Sequence, residues 1–415
     1  VQAETIIESI ERALDNHPSV EAAMAARLIA KEDKNAARSG LFPEISTGFT
    51  GGRVYGDTAT SRGLTINRGA AYSWLGEGNA AITQPLFDGF ESFNRMDAAQ
   101  ARTESADFNI ADVRENLAYM AAQAHLSVMQ AQATLDKTKS YYNVIEDYLD
   151  RIQFMVDEGV ADESEMAQAK NISLMLESTL TDYEGQLDAA LAKYQEIIGR
   201  QPQSNLVKPI VISSLIDSDV EKSVIQAQNN HPVMKAGEKK LEAAGYDVKV
   251  EKAGYFPDLD GEVSYLKRDQ KEEIGGQVID GRAVVKMSWD FEIGGGQQAR
   301  TRKSKAQYSE VLAQNHEMAR TIEGDIRRAY AEYHTAKRQM DLVKKREVAT
   351  QNLFEAYEAQ FQGARVRLLQ LMQAENQVFN SQLESIAAEY RYILSSYAIL
   401  ASSGQLLDYI QNGGE

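Results

Sequence analysis

Acidic residues crowd one short stretch of the sequence, which makes it the first candidate for a charged functional site. Between residues 146 and 165 the chain carries eight acids and a single base, Arg151. The acids are Glu146, Asp147, Asp150, Asp157, Glu158, Asp162, Glu163 and Glu165. Several copies of this stretch around one axis would form a ring that concentrates cations. A solvated helix face is the alternative interpretation.

Two arginines occupy the matching region in the second half of the chain. Arg365 and Arg367 lie there, close in sequence to Glu355 and Glu358. We expect Arg365 to pair with Glu165. An exposed ion pair contributes only about 0–1 kcal/mol, so a single pair would hold the two segments together only weakly.

Other chemistry is missing from the sequence. No Ser/His/Asp, Cys/His or paired-carboxylate arrangement is present, cysteine is absent, and Gly294–Gly296 lacks the Lys-Ser/Thr of a phosphate loop. The five histidines (17, 125, 231, 316 and 334) show no metal-ligand spacing, and His17 and His231 are interpreted as turn residues. With 44 bases against 61 acids, the net charge of −17 argues against nucleic acid as a partner. The sequence therefore predicts neither an enzyme nor a cofactor.

An internal duplication organises the chain. Asn16-His17-Pro18 recurs 214 residues later as Asn230-His231-Pro232. Further landmarks recur in the same order: Gly40–Pro43 as Gly254–Pro257, Gln84–Gly89 as Trp289–Gly294, and Gly199 as Gly404. Each half therefore follows the same plan, with one segment of variable length.

Each half changes from strand to helix periodicity at the same point. Apolar residues that occupy every second position are typical of strands with one apolar face. Such a pattern is formed by Ala283, Val285, Met287, Trp289 and Phe291. Four strands of 10–15 residues suit a membrane but cannot close a barrel, so several chains would have to share one. A soluble four-stranded sheet beside a helical bundle is the alternative.

Helical hairpins follow each strand pair. Proline, which interrupts helices, is absent from 86–201 and 258–415, and apolar residues in these stretches repeat every seven positions. The longer helix of each hairpin would reach on the order of 100 Å. The first repeat is assigned to 1–200, with strands at 44–56 and 71–87 and a hairpin at 90–200 that turns near 159–162. Residues 201–218 are a linker. The second repeat is assigned to 219–405, with strands at 258–268 and 278–293 and a hairpin at 295–404 that turns near 362–365, before a tail at 406–415.

This order of elements resembles the TolC-type outer-membrane efflux protein family over nearly the whole chain. The resemblance is carried by the repeated Asn-His-Pro turns and Gly-x-Phe-Pro motifs, by Gln84–Gly89, and by Ala359–Gly363 leading into Gln370–Asn376. It implies a mainly α fold with a membrane β-barrel, built as a homotrimer with twelve strands above a periplasmic helical tunnel. It also implies an outer-membrane location, a removed signal peptide, a periplasmic adaptor and an inner-membrane ABC transporter.

The resemblance also implies sites. Gln370 and Gln373 occupy the positions of the family's tunnel constriction, where its best-known type has two aspartates, so the ring here would be uncharged. An electrostatic gate would then shift to Glu165 and its acidic neighbours, and several copies of a Glu165–Arg365 pair would hold the constriction closed. Gly159, Val160, Ala161, Gly363, Ala364 and Val366 would dock on the adaptor, and Trp74 and Trp289 would lie at the membrane interface. The stretch 369–379 is similar to members that serve type I secretion of large proteins such as adhesins, so export of adhesin-like protein is favoured over small-molecule efflux.

Overall fold

The computed structural model describes residues 4–56, 71–203, 205–213, 216, 219–270, 276–363 and 365–411. The predicted docking residue Ala364 lies outside these residues, as do parts of the predicted linker at 201–218 and of the predicted tail at 406–415.

The two halves contain the same elements in the same order. The first half consists of α1 (Ile6–Asn16), α2 (Pro18–Ser39), β1 (Glu44–Gly56), β2 (Ala71–Phe87), α3 (Glu91–Asp157) and α4 (Glu163–Ile198). The second consists of α5 (Val220–Asn230), α6 (Pro232–Ala253), β3 (Asp258–Gln270), β4 (Gln277–Ser288), α7 (Gly296–Gln362) and α8 (Leu368–Ser402), followed by α9 (Leu406–Gln411). Helices α3 and α7 both have 67 residues, and α1 and α5 both have 11, which confirms the duplication.

Local sequence explains where the first helices begin and end. The Thr5 hydroxyl accepts from the Glu8 amide at 3.2 Å, while the Glu8 carboxylate accepts from the Thr5 amide at 2.9 Å, a reciprocal cap for α1. His17 follows α1 and His231 follows α5, each directly before a proline that begins the next helix. The interpretation of both histidines as turn residues is therefore confirmed.

The four strands form one antiparallel sheet in the order β1-β2-β3-β4. Ile45 pairs with Ile82, Ile82 with Val263, and Val263 with Ala283, so one row crosses the whole sheet. The predicted end of β4 at residue 293 is wrong. Strand β4 ends at Ser288, because Ser288 pairs with Asp258, the first residue of β3, and no β3 residue remains to pair with Trp289.

The chain divides into two compact units. One comprises Val1–Met24, Phe108–Lys235 and His316–Glu415, and its buried side chains form three hydrophobic clusters around residues such as Ile10, Ile145 and Ile326. The other comprises Ala25–Asp107 and Ala236–Asn315, and it contains the sheet. We searched the described residues for a helix both long and apolar enough to cross a membrane, and found none.

Candidate functional site

The acidic stretch and the arginines of the second half meet at the ends of the two hairpins. Arg367 Nη1 donates to Glu165 Oε1 at 3.0 Å, with Glu165 14% and Arg367 74% exposed. The predicted partner, Arg365, is wrong. Arg367 directly precedes α8 and so lies beside the first turn of α4, whereas Arg365 lies in the preceding turn, where its amide donates to the Gln360 carbonyl oxygen at 2.9 Å.

Gly159 makes the turn between α3 and α4 possible. Its φ of +72° lies in the left-handed region, which glycine adopts without the steric cost of a Cβ atom. The amides of Val160 and Ala161 both donate to the Met155 carbonyl oxygen, at 2.8 and 3.1 Å. The turn therefore presents Val160 with 72% of its surface exposed.

We predict that Gly159→Ala and Gly363→Ala have different effects. At Gly159 an alanine would adopt a left-handed conformation, at a cost of about 1–2 kcal/mol, so the turn is expected to loosen. At Gly363 an added Cβ atom would meet its nearest neighbour, the Gln360 carbonyl oxygen, at an ordinary 3.5 Å, so this variant is the matched control. Limited proteolysis should cleave the Gly159→Ala turn faster than the wild-type turn; equal rates in all three proteins would contradict the prediction.

The two predicted constriction residues lie on an exposed face of α8. Gln370 and Gln373 are exposed, and the same face continues with the exposed amides Gln377 and Asn380. The opposite face carries buried residues such as Phe379. Gln370 also accepts a hydrogen bond from the Arg367 amide at 3.2 Å, which ties it to the Glu165–Arg367 pair. The glutamines are therefore free to contact molecules other than this chain, and their place in a constriction remains a prediction.

The sheet has one apolar and one charged face, because residues that pair across antiparallel strands share a face. The apolar face exposes Ile45, Phe49, Tyr72, Trp74, Ile82, Val263, Tyr265, Val285 and Met287. Its charged members, Arg53, Lys267 and Asp269, lie near the end that carries the β1–β2 and β3–β4 loops. Long basic side chains at such an end can extend towards water.

Ion pairs link neighbouring strands on the charged face. Arg268 Nε lies 2.6 Å from Glu77 Oε2, and Glu262 pairs with both Lys286 and Arg282, the latter at 3.6 Å. Glu262 is only 9% exposed. Because ion pairs and charged side chains occupy this face, it suits an aqueous interior, whereas the opposite face, which exposes apolar side chains, suits lipid.

Trp74 lies within β2 on the apolar face, whereas Trp289 lies just beyond β4. Trp289 is 49% exposed and its ring centroid lies 4.8 Å from that of Phe291. The expectation that Trp289 belongs to the strand is wrong, for the pairing reason given above. An interfacial role for both tryptophans remains a prediction.

Glu115 is a charged residue that the sequence did not single out. It is 3% exposed, and its carboxylate accepts from the amides of Leu406 and Leu407 at 2.6 and 3.1 Å. Burial raises the pKa of Glu115 to about 7. The two hydrogen bonds lower this pKa, whereas the negative charges of Asp408 and Asp112 raise it further. Glu115 therefore anchors α9 to α3 within one unit.

A second buried polar network surrounds His125, which is fully buried. His125 Nδ1 lies 2.9 Å from the Ser9 hydroxyl oxygen. The Ser9 hydroxyl oxygen lies 3.0 Å from the Tyr194 hydroxyl oxygen, and the Tyr194 hydroxyl donates to the Glu4 carboxylate at 3.1 Å. Burial lowers the pKa of His125. The network joins α1, α3 and α4, and within the described part of the chain no group of three metal-ligating side chains exists.

Comparison with known proteins agrees with this architecture. The family model described as "Outer membrane efflux protein" matches residues 9–200 and 224–405. The outer membrane efflux protein BepC of Brucella suis is 21% identical over 97% of this chain and 86% of its own length. The proteases secretion protein PrtF of Dickeya chrysanthemi is 20% identical over 98% of this chain and 89% of its own.

A solved structure shows the same fold. The Campylobacter jejuni CmeC outer membrane channel superposes with a TM-score of 0.84 at 15% identity, covering 97% of this chain and 86% of that one. Helical hairpins and a two-faced sheet define the class of TolC-type channels. The chain belongs to the outer membrane efflux protein family.

Proposed function

We propose that three copies of this chain form an outer-membrane channel in a Gram-negative bacterium. The observation that carries the proposal is the two-faced sheet with two edge strands, since β1 and β4 each pair with only one neighbour in the described part of the chain. An open edge in lipid leaves backbone groups unpaired at several kcal/mol each. Three sheets of four strands close a twelve-stranded barrel, which is wide enough to leave a lumen.

The hairpin turns are the surface through which the channel would meet its partners. Gly159, Val160 and Ala161 form one turn, and Gly363 and Val366 belong to the other. Val160 exposes an apolar side chain there. A periplasmic adaptor would bind this surface, and the adaptor would connect the channel to an inner-membrane ABC transporter.

We propose protein export, by type I secretion, as the transport function. PrtF, whose name describes protease secretion, aligns with 98% of this chain. The exposed amides of Gln370, Gln373, Gln377 and Asn380 would line the constriction without charge, so they would not select by the charge of a passing polypeptide. BepC, whose name describes efflux, supports small-molecule efflux as the second candidate.

Deletion of the gene distinguishes the two transport functions. For protein export, we expect one or more secreted proteins to disappear from the culture medium, with drug susceptibility unchanged. For efflux, susceptibility to small toxic compounds would rise and the set of secreted proteins would stay the same. Quantitative recovery of the chain in the soluble fraction, away from outer membranes, would contradict both.

We predict that the Glu165–Arg367 pair holds the channel closed. Arg367→Ala or Glu165→Gln removes three ion pairs per trimer, each worth about 0–1 kcal/mol, so single-channel conductance in planar bilayers should rise several-fold. Glu196→Gln is the matched control, because it removes an exposed pair with Lys193 further along α4. Unchanged conductance in both tip variants would contradict the gating role of this pair.

A further inference from the structure

The first turns of α7 form a strongly basic segment in an acidic protein. Between Glu292 and Glu310 the chain has four bases, Arg300, Arg302, Lys303 and Lys305, and no acid, although its net charge is −17. These bases lie in the first three turns of α7, the helix that follows β4 in the chain. The segment therefore places positive charge at the helix side of the sheet.

Three of these bases are free to bind an anion. Arg300 lies 2.8 Å from Glu292 and 4.0 Å from Glu251, so its charge is already compensated. Arg302, Lys303 and Lys305 are exposed, and no acid in the described residues pairs with them. Their neighbours Thr301 and Ser304 are buried, so the side of α7 that carries Thr301 and Ser304 packs against the rest of its unit. Arg302 and Lys303 lie on the opposite side of the helix, which faces away from that unit.

Exposed apolar residues separate the apolar sheet face from these bases. Trp289, Phe291 and Ile293 lie in the segment between β4 and α7, and Ile293 is fully exposed. The order along the chain is thus an apolar strand face, then exposed aromatic and aliphatic side chains, then unpaired bases. The same order is typical of protein surfaces that pass from hydrocarbon through the membrane interface into lipid headgroups.

The other three junctions between helices and strands repeat this combination. Each has at least one exposed aromatic ring close in sequence to a base, and the Arg38 guanidinium lies 5.7 Å from the centre of the Phe42 ring. Of these bases, Arg95 already pairs with Glu91, so its charge is compensated. The remaining members are Phe90, Phe93 and Arg95 at the start of α3, and Lys252, Tyr255 and Phe256 after α6. We call these residues, together with Trp289, Phe291, Ile293, Arg302, Lys303 and Lys305, the junction collar.

We infer that the junction collar binds the headgroups of anionic phospholipids in the leaflet that faces the helices. The inference rests on the proposed function, because it requires the apolar sheet face to lie in a bilayer. Arg302, Lys303 and Lys305 supply the charge that pairs with phosphate, and the aromatic rings lie at the level of the ester groups. A base near an anionic membrane surface strengthens binding by about fivefold, so the three bases select charged over zwitterionic lipid.

The chain supplies its own fluorescent reporter for this inference. It has only two tryptophans, so Trp74→Phe leaves Trp289, which belongs to the collar, as the single reporter. The purified protein would be reconstituted with phosphatidylglycerol or phosphatidylcholine brominated near the headgroup, and quenching of Trp289 would give the relative binding constant of the two lipids. We expect a preference of about fivefold or more for phosphatidylglycerol, which weakens at high salt.

The decisive variant is Arg302→Gln/Lys303→Gln/Lys305→Gln in the same background, for which the preference should fall to about one. Its matched control is Lys337→Gln/Lys344→Gln/Lys345→Gln, which removes equal charge further along α7 and should keep the preference. Quenching without preference for phosphatidylglycerol, or a preference that the decisive variant retains, would overturn the collar inference and leave the channel proposal standing. Absence of quenching by either lipid would overturn both.

Discussion

Val285→Arg is expected to prevent assembly of the channel in the outer membrane. Val285 is 69% exposed on the apolar face of β4, three residues before the strand ends at Ser288, and lipid would surround it there. An arginine on the lipid face of a barrel costs about 2–4 kcal/mol at the bilayer midplane and less towards the interface, and a trimer would bear the cost at Val285 three times. Outer-membrane fractions should lose the heat-modifiable trimer on unheated gels.

Val284→Arg is the matched control for this prediction. Val284 is the neighbouring residue of the same type on the same strand, but it lies on the charged face and pairs with Glu262. A new arginine there meets water, and Glu262 offsets part of its repulsion from the neighbouring bases Arg282 and Lys286, so the trimer should persist. Equal loss of trimer in both variants, or loss only in Val284→Arg, would show that the face assignment is wrong.

Glu115→Gln is expected to change how stability depends on pH. Because the folded protein raises the pKa of Glu115 from 4.5 to about 7, it binds this proton more tightly than the unfolded chain does. The wild type therefore loses about 3 kcal/mol of unfolding free energy through this group as pH rises from 4.5 to 7. The glutamine variant does not titrate and should gain that amount relative to the wild type over the same range.

Denaturant unfolding at pH 5 and pH 8 measures this relative gain. Glu196→Gln is the control variant, since it makes the same chemical change at an exposed position of α4. A difference between wild type and Glu115→Gln that stays constant from pH 5 to pH 8 would contradict the raised pKa. It would also remove Glu115 as a pH-sensitive anchor of α9.

The sequence predicted most of the architecture because its signals are local and repeated. Prolines and glycines recur at fixed offsets, strands alternate with period two, and the hairpin helices repeat every seven residues. The predicted start of β3 at residue 258 agrees with the structure, whereas the end of β4 was placed five residues too late. Alternation continues through Trp289 and Phe291, but a strand ends where its partner ends, and pairing is not a local property.

Side-chain partners could not be predicted in the same way. Predicting that Glu165 pairs with Arg367 and not with Arg365 requires the residue at which α8 begins. That residue decides on which side of the turn each arginine side chain lies. Glu115 is invisible in the sequence because its partners, the amides of Leu406 and Leu407, lie about 290 residues away. The ion pairs of Glu262 likewise require the register of β3 and β4.

Cross-linking between the two edge strands tests the trimeric channel most directly. The chain has no cysteine, so one cysteine on β1 and one on β4, placed at a panel of positions near Glu44 and Ser288, can form disulfides only between the introduced pairs. The account predicts that, in native outer membranes, oxidation yields covalent species of two and three chains and none larger. Species that stop at two chains, a ladder beyond three, or no cross-link at any register would contradict it.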